Sequence, residues 1–246
     1  MPLKASPEDQ AVLLELQAID TKLQQLAHRA NSLPEIATIE TLTAEAEEAR
    51  LASVGDSGAL EDARIELKRV ESDVEVVEAR IARDLGRLDT TSSVKDVAGL
   101  ETELAALRKR QSDLEDIQLA VMERVEELEA RARATSEEHE ALRARIAEAE
   151  SARDAALAII NGEREHAAAN RSVITGKLPV ELVALYERQR ERYGAGASLL
   201  QGGVSSASGV KLNENDMAAI RAAAPDDVVL CPDSNAILVR TSESGI

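Results

Sequence analysis

Ser205-Ser206-Ala207-Ser208 and Cys231-Pro232-Asp233-Ser234 are two small-polar pairs, each followed by Gly or Asn and then by aliphatic residues. Two Cys-x-x-Cys pairs at such a separation would make a four-thiolate zinc site, because zinc takes four tetrahedral soft ligands from two tight turns. Of the four positions Ser205, Ser208, Cys231 and Ser234, only Cys231 is a cysteine. A serine hydroxyl stays protonated near neutral pH and is a poor partner for zinc. One thiolate alone cannot hold structural zinc, which contributes on the order of 10 kcal/mol in small sites. Asp233 adds at most one oxygen donor, and His28, His139 and His166 all lie in the helical part of the chain. The expectation is an end domain without metal or other cofactor.

Other chemistry-bearing residues read as structural. Cys231 has no neighbouring His or Lys to lower its pKa, so a leftover structural cysteine is expected, not a redox or nucleophilic thiol. His139 falls on a helical seam, and Glu47-Glu48 and Glu126-Glu127 look like solvated helix faces. Gly202-Gly203 lacks the lysine and helix start of a phosphate loop. Arg188, Arg190 and Arg192 give one short helix a local basic face that could touch a protein partner or RNA, with Glu187 and Glu191 beside them. No catalytic constellation emerges, and a non-enzymatic protein is expected.

The elements that position these residues are mostly helices. Ser6-Pro7-Glu8-Asp9 combines a capping serine, a first-turn proline and acids at the positive end of a helix. Leu16, Ile19, Leu23, Leu26, Ala30 and Leu33 follow at three-four spacing until Pro34 interrupts. Gly55-Asp56-Ser57-Gly58 is a second weak point, a break or a bend. Ala63, Leu67, Val70, Val74, Val77, Ile81 and Leu88 then occupy one heptad seam. Asp89 to Ser93 favours a turn. A longer run follows from Val97 to Ile160, with Gln111, Gln118, Thr135, His139 and Arg153 as polar seam positions. Two heptad runs joined by a short turn predict an antiparallel coiled-coil hairpin, its longer arm a rod of roughly 110 Å. A straight parallel dimer is the rival. The N-terminal segment is expected to pack near Ile159 and Ile160.

Beyond Gly176-Lys177-Leu178-Pro179, Val180 to Tyr193 reads as a short amphipathic helix, and Gly194-Ala195-Gly196 as a hinge. Leu199-Leu200, Val210-Lys211-Leu212, Val228-Val229-Leu230 and Ile237-Leu238-Val239 read as strands, with a short helix capped at Asn213 or Asn215. The fold class is therefore mainly α: a long antiparallel coiled-coil hairpin with a small C-terminal α+β domain. The expected divisions are 1–175 for the hairpin with its turn near 89–95, 176–196 for the connecting helix and hinge, and 197–246 for the end domain. A unit of about 50 residues without staples is marginal in isolation.

Composition agrees. With two Tyr, no Phe and no Trp, and with charged residues at 30%, the chain suits helices that bury a narrow stripe. A formal charge of −17 disfavours general attraction to nucleic acid or an anionic membrane. One cysteine fits a reducing compartment. Neither a signal peptide nor a membrane-spanning run is read from the sequence, so a cytoplasmic protein is expected.

Leu114-Glu115-Asp116, Leu182-Val183-Ala184-Leu185-Tyr186-Glu187-Arg188, Leu200-Gln201-Gly202, Asp226-Asp227-Val228-Val229, Cys231-Pro232 and Ala236-Ile237-Leu238-Val239-Arg240 occur in order. In this the chain resembles bacterial coiled-coil hairpin proteins, of the actinobacterial type, that end in a four-cysteine zinc ribbon. The resemblance implies zinc for the family and places its ligand positions on Ser205, Ser208, Cys231 and Ser234. The last segment would then be a degenerate zinc-ribbon-like domain that has lost three of four cysteines, with Asn235 where the family has glycine. It also implies a chaperone-like or adaptor role, without naming a partner. The alternative is nucleic-acid binding through the ribbon-like domain. Against it, Lys211, Arg221 and Arg240 face six acids from Ala195 onward, with no aromatic residue to stack a base. An unidentified protein partner is expected, and the chain is a monomer or a homodimer.

Overall fold

A computed structural model describes residues 3–245. Met1, Pro2 and Ile246, at the outer limits of the expected first and last domains, lie outside the described residues. The protein is mainly α and contains a long helical hairpin and a small C-terminal sheet. The elements are α1 (Pro7–Asn31), α2 (Pro34–Thr90), α3 (Val94–Thr175), α4 (Val180–Tyr193), β1 (Ala197–Gln201), β2 (Val204–Ser205), α5 (Glu214–Ala222) and β3 (Ile237–Val239), then one 3₁₀ turn at Ser242–Ser244. Contacts divide the chain into two compact units: Glu35–Ser151, and Met1–Pro34 together with Ala152–Ile246.

In the first unit α2 and α3 are antiparallel. The cross-helix pairs descend in order: Asp56 with Arg131 at 2.7 Å, Arg64 with Glu129 at 2.5 Å, Glu66 with Arg124, Glu78 with Gln111 at 3.1 Å, and Arg80 with Glu103. Between these flanking pairs the heptad residues close a narrow seam. Leu42, Ala46 and Ala49 pack on Leu142, Ile146 and Ala149, and Ala63 packs with Val121 and Val125. The turn between the arms is short, since α2 ends at Thr90 and α3 begins at Val94.

Gly55 to Gly58 neither breaks nor ends α2. Two glycines cost the helix about 1 kcal/mol each relative to alanine. Seam packing at Ala49, Leu60 and Ala63 on either side, with the Asp56–Arg131 pair in the middle, outweighs that penalty.

In the second unit Ser6 caps α1 by accepting a hydrogen bond from Asp9 N at 3.0 Å. Asn213 caps α5 in the same way, accepting from Asp216 N at 2.9 Å. The α1 helix lies along the final turns of α3, with Lys22 4.0 Å from Glu163 and Asp20 2.7 Å from Arg171. Ile160 is fully buried and Ile159 is exposed.

The sheet order is β2-β1-β3. Its central pair is parallel (Ala197 to Ile237, Leu199 to Val239), and its outer pair is antiparallel (Leu200 to Ser205). Val210 to Leu212 and Val228 to Leu230 are not strands. They contribute isolated bridges, Lys211 to Val204 and Leu230 to Ile237. Strand alternation sends Ile237 and Val239 into one core and Leu238 into another. The first core collects Ala5, Leu13, Leu16, Leu182, Tyr186 and Ala197; the second collects Leu200, Leu212, Met217, Ile220 and Cys231. The sheet is thus covered on both faces. The N-terminal segment bridges to the stretch before Leu230: Ala5 N donates to Asp226 O at 2.9 Å, and Val228 N to Leu3 O at 2.9 Å.

Candidate functional site

The residues singled out by spacing sit in two turns of the same construction. In the first, Ser205 N donates to Val210 O at 3.2 Å, Gly209 N to Ser205 O at 2.8 Å, and Val210 N to the Ser208 hydroxyl at 3.3 Å. In the second, Cys231 N donates to Ala236 O at 2.8 Å, Asn235 N to Cys231 O at 2.9 Å, and Ala236 N to the Ser234 hydroxyl at 3.4 Å. The fifth residue of each turn is left-handed, Gly209 at φ 68° and Asn235 at φ 57°, a conformation open to glycine and tolerated by asparagine. Each of these three hydrogen bonds of the first turn has its counterpart 26 positions later.

The turns meet at the Cys231 sulfur. Cys231, Ser205 and Ser198 are fully buried. The Ser198 and Ser205 hydroxyls lie 2.7 Å apart, and the Ser198 oxygen also accepts from Ala207 N at 3.1 Å. The hydroxyls of Ser205 and Ser234 and the N–H groups of Ser234 and Asp233 donate to Cys231 Sγ. Burial pushes the thiol up, and these four donors outweigh it, leaving the thiol below its ordinary value. The structure therefore brings Ser205, Cys231 and Ser234 together, while Ser208 closes its own turn at a half-buried position.

One thiol and three hydroxyls do not fit a zinc ion. Zinc requires deprotonated soft ligands, and the hydroxyls of Ser205 and Ser234 are already committed as donors to sulfur. Among the described residues no group of three or more His, Cys, Asp or Glu side chains comes together.

The arginines of α4 separate. Consecutive residues of a helix turn by about 100°, so Arg188 and Arg192 share a side and Arg190 lies nearly opposite. Arg188 is exposed, and Arg192 stacks over the Tyr193 ring at 5.3 Å. Arg190 turns inward to Glu187 at 2.9 Å and to Asp20 at 3.4 Å.

That inward side carries a node with little sequence signal. Asp20, 2% exposed, accepts from Arg171 Nε at 2.7 Å and from the Tyr186 hydroxyl at 2.7 Å. Arg171 also pairs with Glu187. Gln17 Oε1, one turn away on α1, accepts from Gly196 N at 2.8 Å and Ala197 N at 3.2 Å. Helices α1, α3 and α4 and the start of β1 are thereby tied at one point. Burial and then the Asp20 hydrogen bond hold the Tyr186 phenol well above its ordinary range. Gly196 lies flat on the Tyr186 ring, where an added Cβ would come within 2.5 Å. The sequence signal for this node is an acid at a position that α1's three-four spacing turns inward, after Leu13 and Leu16.

The CT398-like coiled coil hairpin domain matches residues 16–194. The chain belongs to that family. A protein of Mycobacterium tuberculosis described as uncharacterised is 40% identical over 239 residues, covering 97% of this chain and 98% of its own length. A solved structure from Mycobacterium smegmatis is 37% identical and superimposes with a TM-score of 0.86, covering 97% of this chain and 100% of that one. The structure of CT398 from Chlamydia trachomatis, at 17% identity, gives a TM-score of 0.65 over 94% of this chain and 97% of that one. At that identity the likeness is one of fold. Among the described residues no helix is long and apolar enough to cross a membrane.

Proposed function

We propose that this member of the hairpin family is a non-enzymatic adaptor or chaperone-like protein of the cytoplasm, offering its helical hairpin to a protein partner and keeping the end domain as a second contact. The observation that carries this reading is an apolar line on α2 away from its seam. Val54, Ile65 and Val76 lie eleven residues, or three helical turns, apart, and each is about 60% exposed (61%, 60% and 63%). Leu51, 58% exposed, extends the line toward the N-terminus. On the same helix Ala63 and Val70 point into the seam and are buried. A helix of the partner laid along α2 would cover this line, and the net charge of −17 favours a partner with basic flanks.

The test is capture from native cells with wild type and with Val54→Lys/Ile65→Lys, followed by mass spectrometry. The expected result is a defined partner held by wild type and lost by the variant, with the variant's helical melting unchanged. An identical captured set would refute the reading. Nucleic-acid binding has less support, because Arg190 is engaged internally and Arg192 is stacked on Tyr193. A low-salt gel shift with RNA and DNA is expected to show no complex. A shift abolished by replacing Arg188, Arg190 and Arg192 would reverse the order of the two readings.

A further inference from the structure

The geometry points to a metal-binding scaffold whose ligand sphere has been replaced by hydrogen bonds: the turns at Ser205–Val210 and Cys231–Ala236 hold the end domain in shape without a metal, and three Ser→Cys substitutions convert them into a four-thiolate site. Four observations carry this. First, the turns are congruent, with the same three hydrogen bonds and the same left-handed fifth residue. Second, the first positions of both turns, Ser205 and Cys231, are fully buried and in hydrogen-bond contact. Third, within the second turn the Ser234 hydroxyl reaches the Cys231 sulfur, so its first and fourth side chains already meet. Ser208 holds the matching fourth place of the first turn, its hydroxyl accepting from Val210 N as that of Ser234 accepts from Ala236 N.

Fourth, the sulfur receives backbone N–H groups from Asp233 and Ser234. Four ligand positions supplied in pairs by two tight turns are the requirement of a tetrahedral thiolate site. In this chain the Ser205 and Ser234 hydroxyls occupy two of those places and donate to the sulfur. Ser198, 2.7 Å behind Ser205, completes a continuous chain of polar contacts. A buried polar set whose members satisfy one another is stable, whereas a half-satisfied one is not.

The experiment compares the full-length wild-type protein with Ser205→Cys/Ser208→Cys/Ser234→Cys, both reduced, using cobalt(II) as the probe. The triple variant is expected to develop thiolate-to-cobalt charge-transfer and tetrahedral ligand-field bands that saturate at one equivalent, with release of thiol protons. Wild type is expected to show neither band, to carry no stoichiometric zinc on purification, and to keep its melting temperature in excess chelator. Amide exchange across Ala197–Gln201 and Ile237–Val239 reports whether the domain is folded in each sample. Stoichiometric zinc in wild type, or a melting temperature lowered by chelator, overturns the metal-free half of the proposal. A triple variant with wild-type exchange protection but no cobalt bands overturns the scaffold half, as does one that remains unprotected with cobalt present. Cys231→Ser in the triple background is expected to abolish the tetrahedral spectrum; bands that survive it would place the metal elsewhere and also refute the scaffold.

Discussion

Replacing Asp20 with alanine should loosen the whole second unit, and the size of the effect follows from what the carboxylate holds. Its oxygens accept from Arg171 Nε at 2.7 Å, Arg171 Nη2 at 3.2 Å and the Tyr186 hydroxyl at 2.7 Å. Breaking a buried pair by removing one partner costs about 3–5 kcal/mol, because the other charge is left behind. Arg171 keeps Glu187 and has a side chain 23% exposed, which places its share below that range, at about 2 kcal/mol. Stranding the buried Tyr186 hydroxyl adds to this, since Gln17 Oε1 at 3.4 Å is a poor substitute. The total expected for Asp20→Ala is about 3 kcal/mol. Hydrogen exchange is the appropriate assay, because a fall of that size makes amides that open with the unit exchange about a hundredfold faster. The acceleration should appear across Ala197–Gln201 and Ile237–Val239. Tyr186→Phe, which removes only the hydroxyl, should cost about 1 kcal/mol, and Asp20→Asn should fall between the two. If Asp20→Ala costs no more than Tyr186→Phe, the ion pair is idle and the reasoning fails.

Gly196→Ala should cost about 3 kcal/mol, at the upper end for overpacking, because its Cβ meets the Tyr186 ring at 2.5 Å and the ring is pinned through its hydroxyl; urea titration of the second unit checks it. The raised phenol of Tyr186 contributes stability that is complete below the ordinary value of 10.0 and is lost as pH rises beyond it toward the higher folded value. Stability measured from pH 9 to 11.5 should therefore fall more steeply for wild type than for Tyr186→Phe, and equal slopes would contradict it. Leu142→Ala, facing Leu42, Ala46 and Ala49, should destabilise the hairpin by about 2–3 kcal/mol while leaving exchange at Ile237–Val239 unchanged. A matching loss in both units would show that they do not melt separately.

The helices were legible because their signals are local and repeated. The heptad runs place α2 and α3, Ser6 and Asn213 announce caps, and the polar stretch after Asp89 marks the turn. Gly55 and Gly58 misled because propensity is a weak term beside seam packing. Val210–Leu212 and Val228–Leu230 have strand composition but only single bridges, since Leu212 and Val229 are taken up by the second core and Val228 by the first, while Val210 and Leu230 stay exposed. Nothing local connects Asp20 to Arg171, or Leu3 to Val228; their partners are set by tertiary packing across more than 150 residues. At the turn pair, spacing singled out Ser205, Ser208, Cys231 and Ser234. That their hydroxyls donate to the lone sulfur depends on side-chain geometry that no residue count contains.

The bridge between Leu3–Ala5 and Asp226–Val228 has a consequence for how the chain is made. The second unit is assembled from the first and last parts of the polypeptide, with residues 35–151 emerging from the ribosome in between. During synthesis α1 has no cover for Leu13 and Leu16, which reach full burial only against α4 and β3. The hairpin can zip as soon as its second arm appears, through pairs close in sequence around Thr90 to Val94. Zipping replaces a long floppy loop by a closed one whose two ends, near Leu42 and Ile146, are side by side. Birth order therefore makes the hairpin the first piece to form and the end domain the last to lock, so a chain cut short before Ile237 would carry a finished hairpin and an apolar first helix still looking for its cover.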